Sequence, residues 1–166
     1  MDPQGRVFTD PGELKKAIEK DSGPDARIVL TNGIFDMIHV GHLRYLAGAA
    51  DHGDVLVVAV NDDLSTRRLK GPGRPVMPVE ERAESLLSLR QVDYVLVFTE
   101  ETVDSVLRLL CPAVHAKGTD YSVATVPELE TAREIGCRTV ITGDPKDHSS
   151  SEIIGRIQEE EDGSCR

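Results

Sequence analysis

The sequence predicts an α/β fold: a single Rossmann-like domain with a mostly parallel, five-stranded sheet and helices on both faces. Three observations carry this expectation. Short apolar, β-branched runs alternate with helical patterns along almost the whole chain, as βαβ units with right-handed crossovers do. The clearest run, Asp54–Val60 (DVLVVAV), is apolar nearly throughout, as a strand covered on both faces must be. At 166 residues, 39% apolar and 29% charged, the chain has the size and balance of one globular domain with an ordinary core.

In chain order, Asp10-Pro11 opens a first helix, with Glu13 completing a capping box. Arg27–Leu30 reads as a buried strand and Asp54–Val60 as the next. Tyr94–Phe98, Ala113–Ala116 and Arg138–Ile141 are shorter runs of the same kind. Helical patterns lie between them at His42–His52 (closed by Gly53), Pro78–Leu89, Thr102–Leu110, Pro127–Ile135 (closed by Gly136) and Ser149–Gln158. Residues 1–26 are thus a lead-in with one helix, 27–158 the domain proper, and 159–166 an acidic flexible tail. Parallel sheets of this kind bind ligands beyond the carboxyl ends of their strands, where strand order reverses. The loops after Leu30, Val60, Ala116 and Ile141 are therefore expected to form one rim.

The formal net charge of −10 argues against nucleic acid or an anionic membrane as a partner. No apolar run approaches the ~20 residues needed to span a bilayer, and the N-terminus has no signal-peptide pattern. Cys111, Cys137 and Cys165 are an odd, scattered set without a CxxC pair, which points away from disulfides or a zinc site and toward a reducing, cytoplasmic setting. Against the acidic background Arg67, Arg68, Lys70 and Arg74 form a stretch free of acids. It reads either as a solvated basic loop or as a local anion site.

Chemistry concentrates in Thr31-Asn32-Gly33-Ile34-Phe35-Asp36-Met37-Ile38-His39-Val40-Gly41-His42, which leaves the first strand and enters a helix. Gly33 permits a tight turn, and Gly41 lets a phosphate approach main-chain N–H groups. His42 stands at the helix start, where the macrodipole and unpaired N–H groups favour an anion, and His39 reaches the same spot from the loop. Two imidazoles and a helix N-terminus suit a triphosphate whose charge shifts during transfer. The pair lacks the His-Glu-x-x-His geometry of a zinc helix, so no protein metal site is expected.

TNGIFDMIHVGH resembles the signature T-x-G-x-F-D-x-x-H-x-G-H of the cytidylyltransferase-like nucleotidyltransferases. The likeness continues through VAVNDDLSTRRLKGPGRPVMPVEERAESLLSLRQVDYV and KGTDY, covering about residues 27–158. Within that family it is similar above all to the bacterial D-glycero-β-D-manno-heptose 1-phosphate adenylyltransferases. The resemblance implies that His39, His42, Lys70 and Lys117 are catalytic, neutralising charge on the phosphates. It places Thr31, Asn32, Gly33, Phe35, Gly41, Arg82, Gly118 and Asp120 at the nucleotide, with Ser149, Ser150 and Ser151 matching the family's S-T-T segment. Arg82 has an alternative role, pairing with Glu80 or Glu84 on its own helix, and Ser149 with Glu152 also makes a capping box. Asp36, Asn61 and Tyr121 fall to the acceptor substrate, Asp36 fixing its loop and not acting as a base.

The implied reaction is adenylyl transfer from ATP to a heptose or related sugar 1-phosphate, with Mg²⁺ bridging phosphate oxygens and pyrophosphate released. Alternatives are cytidylyl transfer to a polyol phosphate such as glycerol 3-phosphate, FAD synthesis, and a non-catalytic nucleotide-binding module. The intact set of His39, His42, Lys70 and Lys117 argues against the last. Two departures from the heptose pattern bear on the substrate: Ile34 replaces a small or sulfur-containing residue, and GDPKDHSSS replaces a shorter, more apolar approach to S-T-T. A homodimer is expected from the family. Many heptose enzymes fuse this domain to a sugar kinase, so a separate kinase upstream is expected here.

Overall fold

The structure, a computed structural model, describes residues 5–144 and 154–155. Its elements run β1 (Val7–Phe8), α1 (Pro11–Ser22), β2 (Ile28–Gly33), α2 (Val40–Ala50), β3 (Val55–Asn61), α3 (Asp63–Lys70), α4 (Val79–Leu87), β4 (Tyr94–Phe98), α5 (Asp104–Leu110), β5 (Val114–Gly118), a 3₁₀ turn (Val123–Thr125), α6 (Leu129–Glu134) and β6 (Arg138–Thr142).

Among the described residues all strand pairs are parallel, in the order β1-β4-β3-β2-β5-β6, and the sheet has six strands where the sequence predicts five. The added one, β1, is a two-residue edge strand in which Val7 and Phe8 lie beside Val95 and Leu96. Two residues carry no periodicity, which is why the alternation of apolar runs does not reveal it. The first helix starts as expected, the Asp10 carboxylate accepting from the Glu13 N–H at 2.8 Å. Far from being a mere lead-in, this helix buries Leu14 and Ile18 in the core of the domain.

Alternate residues of each strand feed two cores. Leu30, Val57 and Leu96 meet α1 and α5 on one face; Val29, Val58 and Val95 meet α2 and α4 on the other. Every residue of β3 is buried, at ~1.5–3 kcal/mol for each large apolar side chain removed from water.

The basic stretch is not a loop, as read from the sequence, but mostly helix. Asp62 caps α3 by accepting from the Ser65 N–H at 2.6 Å, and Arg67, Arg68 and Lys70 occupy the last turn, where the helix dipole favours cations. Strand order reverses between β2 and β5: β2 turns back to β3 on one side, while β5 and β6 extend the other. The carboxyl ends of β2, β3, β5 and β6 all face one rim, as the sequence predicts.

Candidate active site

A cavity of about 750 Å³ opens on this rim, within the range of small-molecule sites. Its walls come from the β2–α2 loop and the start of α2, the ends of β3 and α3, Arg74, the Lys117–Tyr121 turn, Glu128, and Thr142–Asp144.

At the centre, His39 caps α2 with extended backbone (φ −132°, ψ 172°) and no side-chain cap bond. Its ring borders the cavity, stacked on His42 with centroids 3.9 Å apart. His42 in turn leans on Phe35, at 5.1 Å and 53°. Phe35 holds a left-handed backbone (φ 50°), and its ring is stacked over Tyr45 at 6.5 Å. Gly33 permits this: a Cβ there would lie 3.1 Å from the Phe35 ring. Burial, and then the neighbouring His39, hold the His42 imidazole down at about 4, against weaker pulls from the Met37 backbone and Asp120. At neutral pH His42 is therefore an uncharged imidazole.

Lys117 enters from the end of β5, only 5% exposed. Its ammonium donates to Asn32 Oδ1 at 3.0 Å, lies 3.5 Å from Glu128 Oε2, and sits 4.8 Å from the centre of the Tyr121 ring. His115 Nε2 shares the same Asn32 oxygen at 3.0 Å. Lys70 is exposed at the opposite wall, at the end of α3. Gly118 has open space where a side chain would stand, and it, Asp120, Tyr121 and Gly41 all border the cavity.

Three expected ligand residues have other work. Thr31 is fully buried in β2, paired with Val58 and Ala116, and does not border the cavity. Arg82 is also fully buried, and pairs with neither Glu80 nor Glu84. Its guanidinium donates to Met77 O (3.0 Å), Ile34 O (2.6 Å), Asn61 O (2.9 Å) and Asp63 Oδ1 (2.6 Å), and it does not border the cavity. Asp36 borders the cavity, but its carboxylate is filled by Arg74 Nε (2.5 Å) and the N–H groups of Val76 and Met77 (2.8 and 2.9 Å). Burial pushes its pKa up, but these donors outweigh it and hold the carboxyl below its ordinary value. It fixes the loop, as expected, and is not free to take a substrate. Asn61, at the end of β3, borders the cavity and donates to Ser65 Oγ and Glu100 O. Ser149, Ser150, Ser151 and the helix predicted at Ser149–Gln158 lie outside the described residues, apart from positions 154–155, which are helical.

The sequence reading missed Glu128, His115, Arg44 and Asp144. Arg44, on α2, pairs with Asp144 at 2.7 Å, and Thr119 Oγ1 donates to Asp144 O at 2.6 Å, tying the far wall together. His115 interrupts the otherwise apolar run Ala113–Ala116, and that is the only one of these signals visible in sequence.

A cytidylyltransferase-like family model matches residues 30–156, the segment that builds this rim. The chain belongs to the cytidylyltransferase-like family of nucleotidyltransferases. Among curated relatives in this family, it is 43% identical over 157 residues to the bifunctional protein HldE of Alcanivorax borkumensis, covering 95% of this chain and 33% of that protein. It is 42% identical over 152 residues to the HldE of Alkalilimnicola ehrlichii, covering 92% and 32%. The chain thus spans about a third of the length of the curated relatives it matches. Among solved structures it resembles a lipopolysaccharide core biosynthesis protein from Thermoplasma volcanium. The TM-score is 0.62 at 26% identity, over 73% of this chain and 99% of that one. A pantothenate synthetase from Thermus thermophilus, at 19% identity and TM-score 0.59, covering 87% and 63%, shares the fold. Among the described residues no helix is long and apolar enough to cross a membrane.

Proposed function

We propose that this cytidylyltransferase-like domain transfers AMP from ATP to a heptose 1-phosphate or a related sugar 1-phosphate, giving an ADP-sugar and pyrophosphate. The observation that carries the reading is the stacked His39–His42 pair at the start of α2, at the strand-order reversal, with Lys117 and Lys70 on opposite walls of one cavity. The likeness to HldE proteins supports the sugar-phosphate acceptor.

The acceptor phosphate is already anionic near neutral pH, so one of its oxygens attacks the α-phosphorus directly. The bond to the β-phosphate oxygen breaks, and pyrophosphate leaves with that electron pair. No covalent enzyme intermediate and no general base are needed; catalysis is alignment plus stabilisation of moving negative charge. The α2 N-terminus and both imidazoles receive the triphosphate. Lys117 faces the charge that builds near the α-phosphate, and Lys70 that of the departing or incoming phosphate.

Mg²⁺ supplies further charge neutralisation when it accompanies the nucleotide. Among the described residues, no three His, Cys, Asp or Glu side chains cluster as a ligand set. The rim carboxylates of Asp36, Glu128 and Asp144 already face Arg74, Lys117 and Arg44. The ion would therefore be held chiefly by phosphate oxygens and water, as Mg²⁺ commonly is.

The test is pyrophosphate release with Mg²⁺, offering ATP, CTP, GTP and UTP against a panel of sugar and polyol phosphates. Turnover with ATP and a heptose 1-phosphate supports the assignment. Turnover confined to CTP and a polyol phosphate overturns it.

A further inference from the structure

The ammonium of Lys117 is set by a buried polar chain, two of whose members, His115 and Glu128, lie outside the motifs. Glu128 stands at the turn before α6 and is 2% exposed; Lys117 and His115 come from β5, and Asn32 from β2. Glu128 Oε2 faces Lys117 Nζ at 3.5 Å, Lys117 donates to Asn32 Oδ1 at 3.0 Å, and His115 Nε2 meets that same oxygen at 3.0 Å. An ammonium can only donate, so the atom it meets must be the amide oxygen. The His115 nitrogen meeting that oxygen must then also be a donor. Both donors converge on Oδ1, and among the described residues none accepts from the Asn32 amide nitrogen. Asn32, Lys117 and Glu128 all border the cavity.

We propose that Glu128 is a positioning residue, fixing Lys117 as a cation and, through it, orienting the Asn32 amide so that both present donors to a bound anion. The proposal rests on the nucleotidyl-transfer reading for the anion's identity, a nucleotide phosphate, but not for the arrangement itself. An ammonium buried alone would shed its proton. Burial does draw Lys117 below the ordinary lysine value, and Glu128 opposes that by charge and hydrogen bond. The other titratable groups around it cannot substitute. His115, held down at about 3 by burial and by Lys117, is neutral, and the phenol of Tyr121 presents its ring face.

Glu128→Gln removes the charge and keeps the shape. Two readouts apply to the whole chain: titration of the Lys117 side chain by NMR, assigned with Lys117→Arg, and the pH profile of kcat/KM for the nucleoside triphosphate. In Glu128→Gln, Lys117 should titrate at lower pH and the alkaline limb should move with it. At pH 8 kcat/KM should fall about tenfold or more, the scale of one charge-assisted contact, and recover as pH is lowered. Glu128→Asp, whose carboxylate sits farther back, should shift both readouts in the same direction by less. It decides the matter if the Gln variant does not fold. A titration and alkaline limb that superpose on wild type overturn the proposal, as does a loss of activity uniform across pH with an unmoved Lys117. If the wild-type chain turns over no triphosphate, the nucleotidyl reading fails, and the Lys117 titration alone still decides the role of Glu128.

Discussion

His39 and His42 stack with their ring centroids 3.9 Å apart and their planes 27° from parallel. Two imidazolium ions at that distance would repel strongly, so the pair cannot readily carry two charges without an anion between or beside it. In the free protein His42 should titrate near 4 by NMR. Adding pyrophosphate or a nucleoside triphosphate should raise that value, because the anion favours the protonated ring. An unmoved His42 titration in the presence of bound triphosphate would remove the imidazole from the phosphate site.

Acid should destabilise the fold through the same groups. His42 is held at about 4 and His115 at about 3, both by burial first, against an ordinary value of 6.5. The unfolded chain therefore binds protons that the folded chain refuses, and stability rises with pH across this window. Their contribution is complete above about pH 6.5 and is lost as pH falls toward 4 and then 3. Melting temperature should drop through that range. His115→Gln, which keeps a donor toward Asn32 without titrating, should flatten the slope.

Arg82 should matter to stability before it matters to turnover. Its guanidinium ties the β2–α2 loop, the end of β3, the start of α3 and the segment before α4 through four hydrogen bonds. Arg82→Met would strand the Met77 and Ile34 carbonyls and leave Asn61 O only Thr66 Oγ1, and should cost ~2–3 kcal/mol by urea denaturation. Arg82→Lys keeps a charge but cannot span four acceptors, so it should recover only part of the loss.

Lys70 should behave in the opposite way. It is exposed at the end of α3, so Lys70→Ala should leave the melting temperature within about a degree while lowering kcat/KM by roughly 10²-fold, the scale of a removed charge-stabilising donor. Equal activity in this variant would take Lys70 out of the phosphate machinery.

Asp36→Asn should fall between these extremes. The amide keeps one accepting oxygen: placed at the Oδ1 position it still receives the Val76 and Met77 N–H groups, and Arg74 Nε loses its partner. A loss of ~1–3 kcal/mol in stability, with KM rising as the 74–77 segment loosens, is the expected pattern.

The parts of this molecule legible in sequence are those governed by local pattern. Apolar runs place β3 and β4 to within a residue, and Asp10 announces α1 because capping is a contact between near neighbours. The Thr31–His42 segment is legible for a similar reason: a strand end, glycines and a helix start are contiguous. Arg82 is not legible, since its meaning comes from acceptors up to 48 residues away. Glu128 is equally silent; nothing around it in the chain says that it will meet Lys117 inside the domain. The helix α3 is hidden by composition, its basic last turn reading as a solvated loop until Asp62 is seen to cap it.

Tyr45 joins the two sides of the strand-order reversal. Its hydroxyl donates to Ala116 O in β5, its backbone carbonyl accepts from Thr142 Oγ1 in β6, and its ring backs Phe35 from beneath. Gly143, at φ 94°, packs so closely against it that a Cβ would approach Tyr45 Cα to 3.2 Å. The half of the cavity built by α2, β5 and β6 is therefore stiff before any ligand arrives, whereas Lys70 and Leu69 project from an exposed helix end. A ligand entering the stiff half gives up little protein entropy, and one that must arrange the Lys70 side gives up more. For the proposed transfer the expected consequence is a compulsory order of addition, the partner of the stiff half binding first and completing the surface that receives the second.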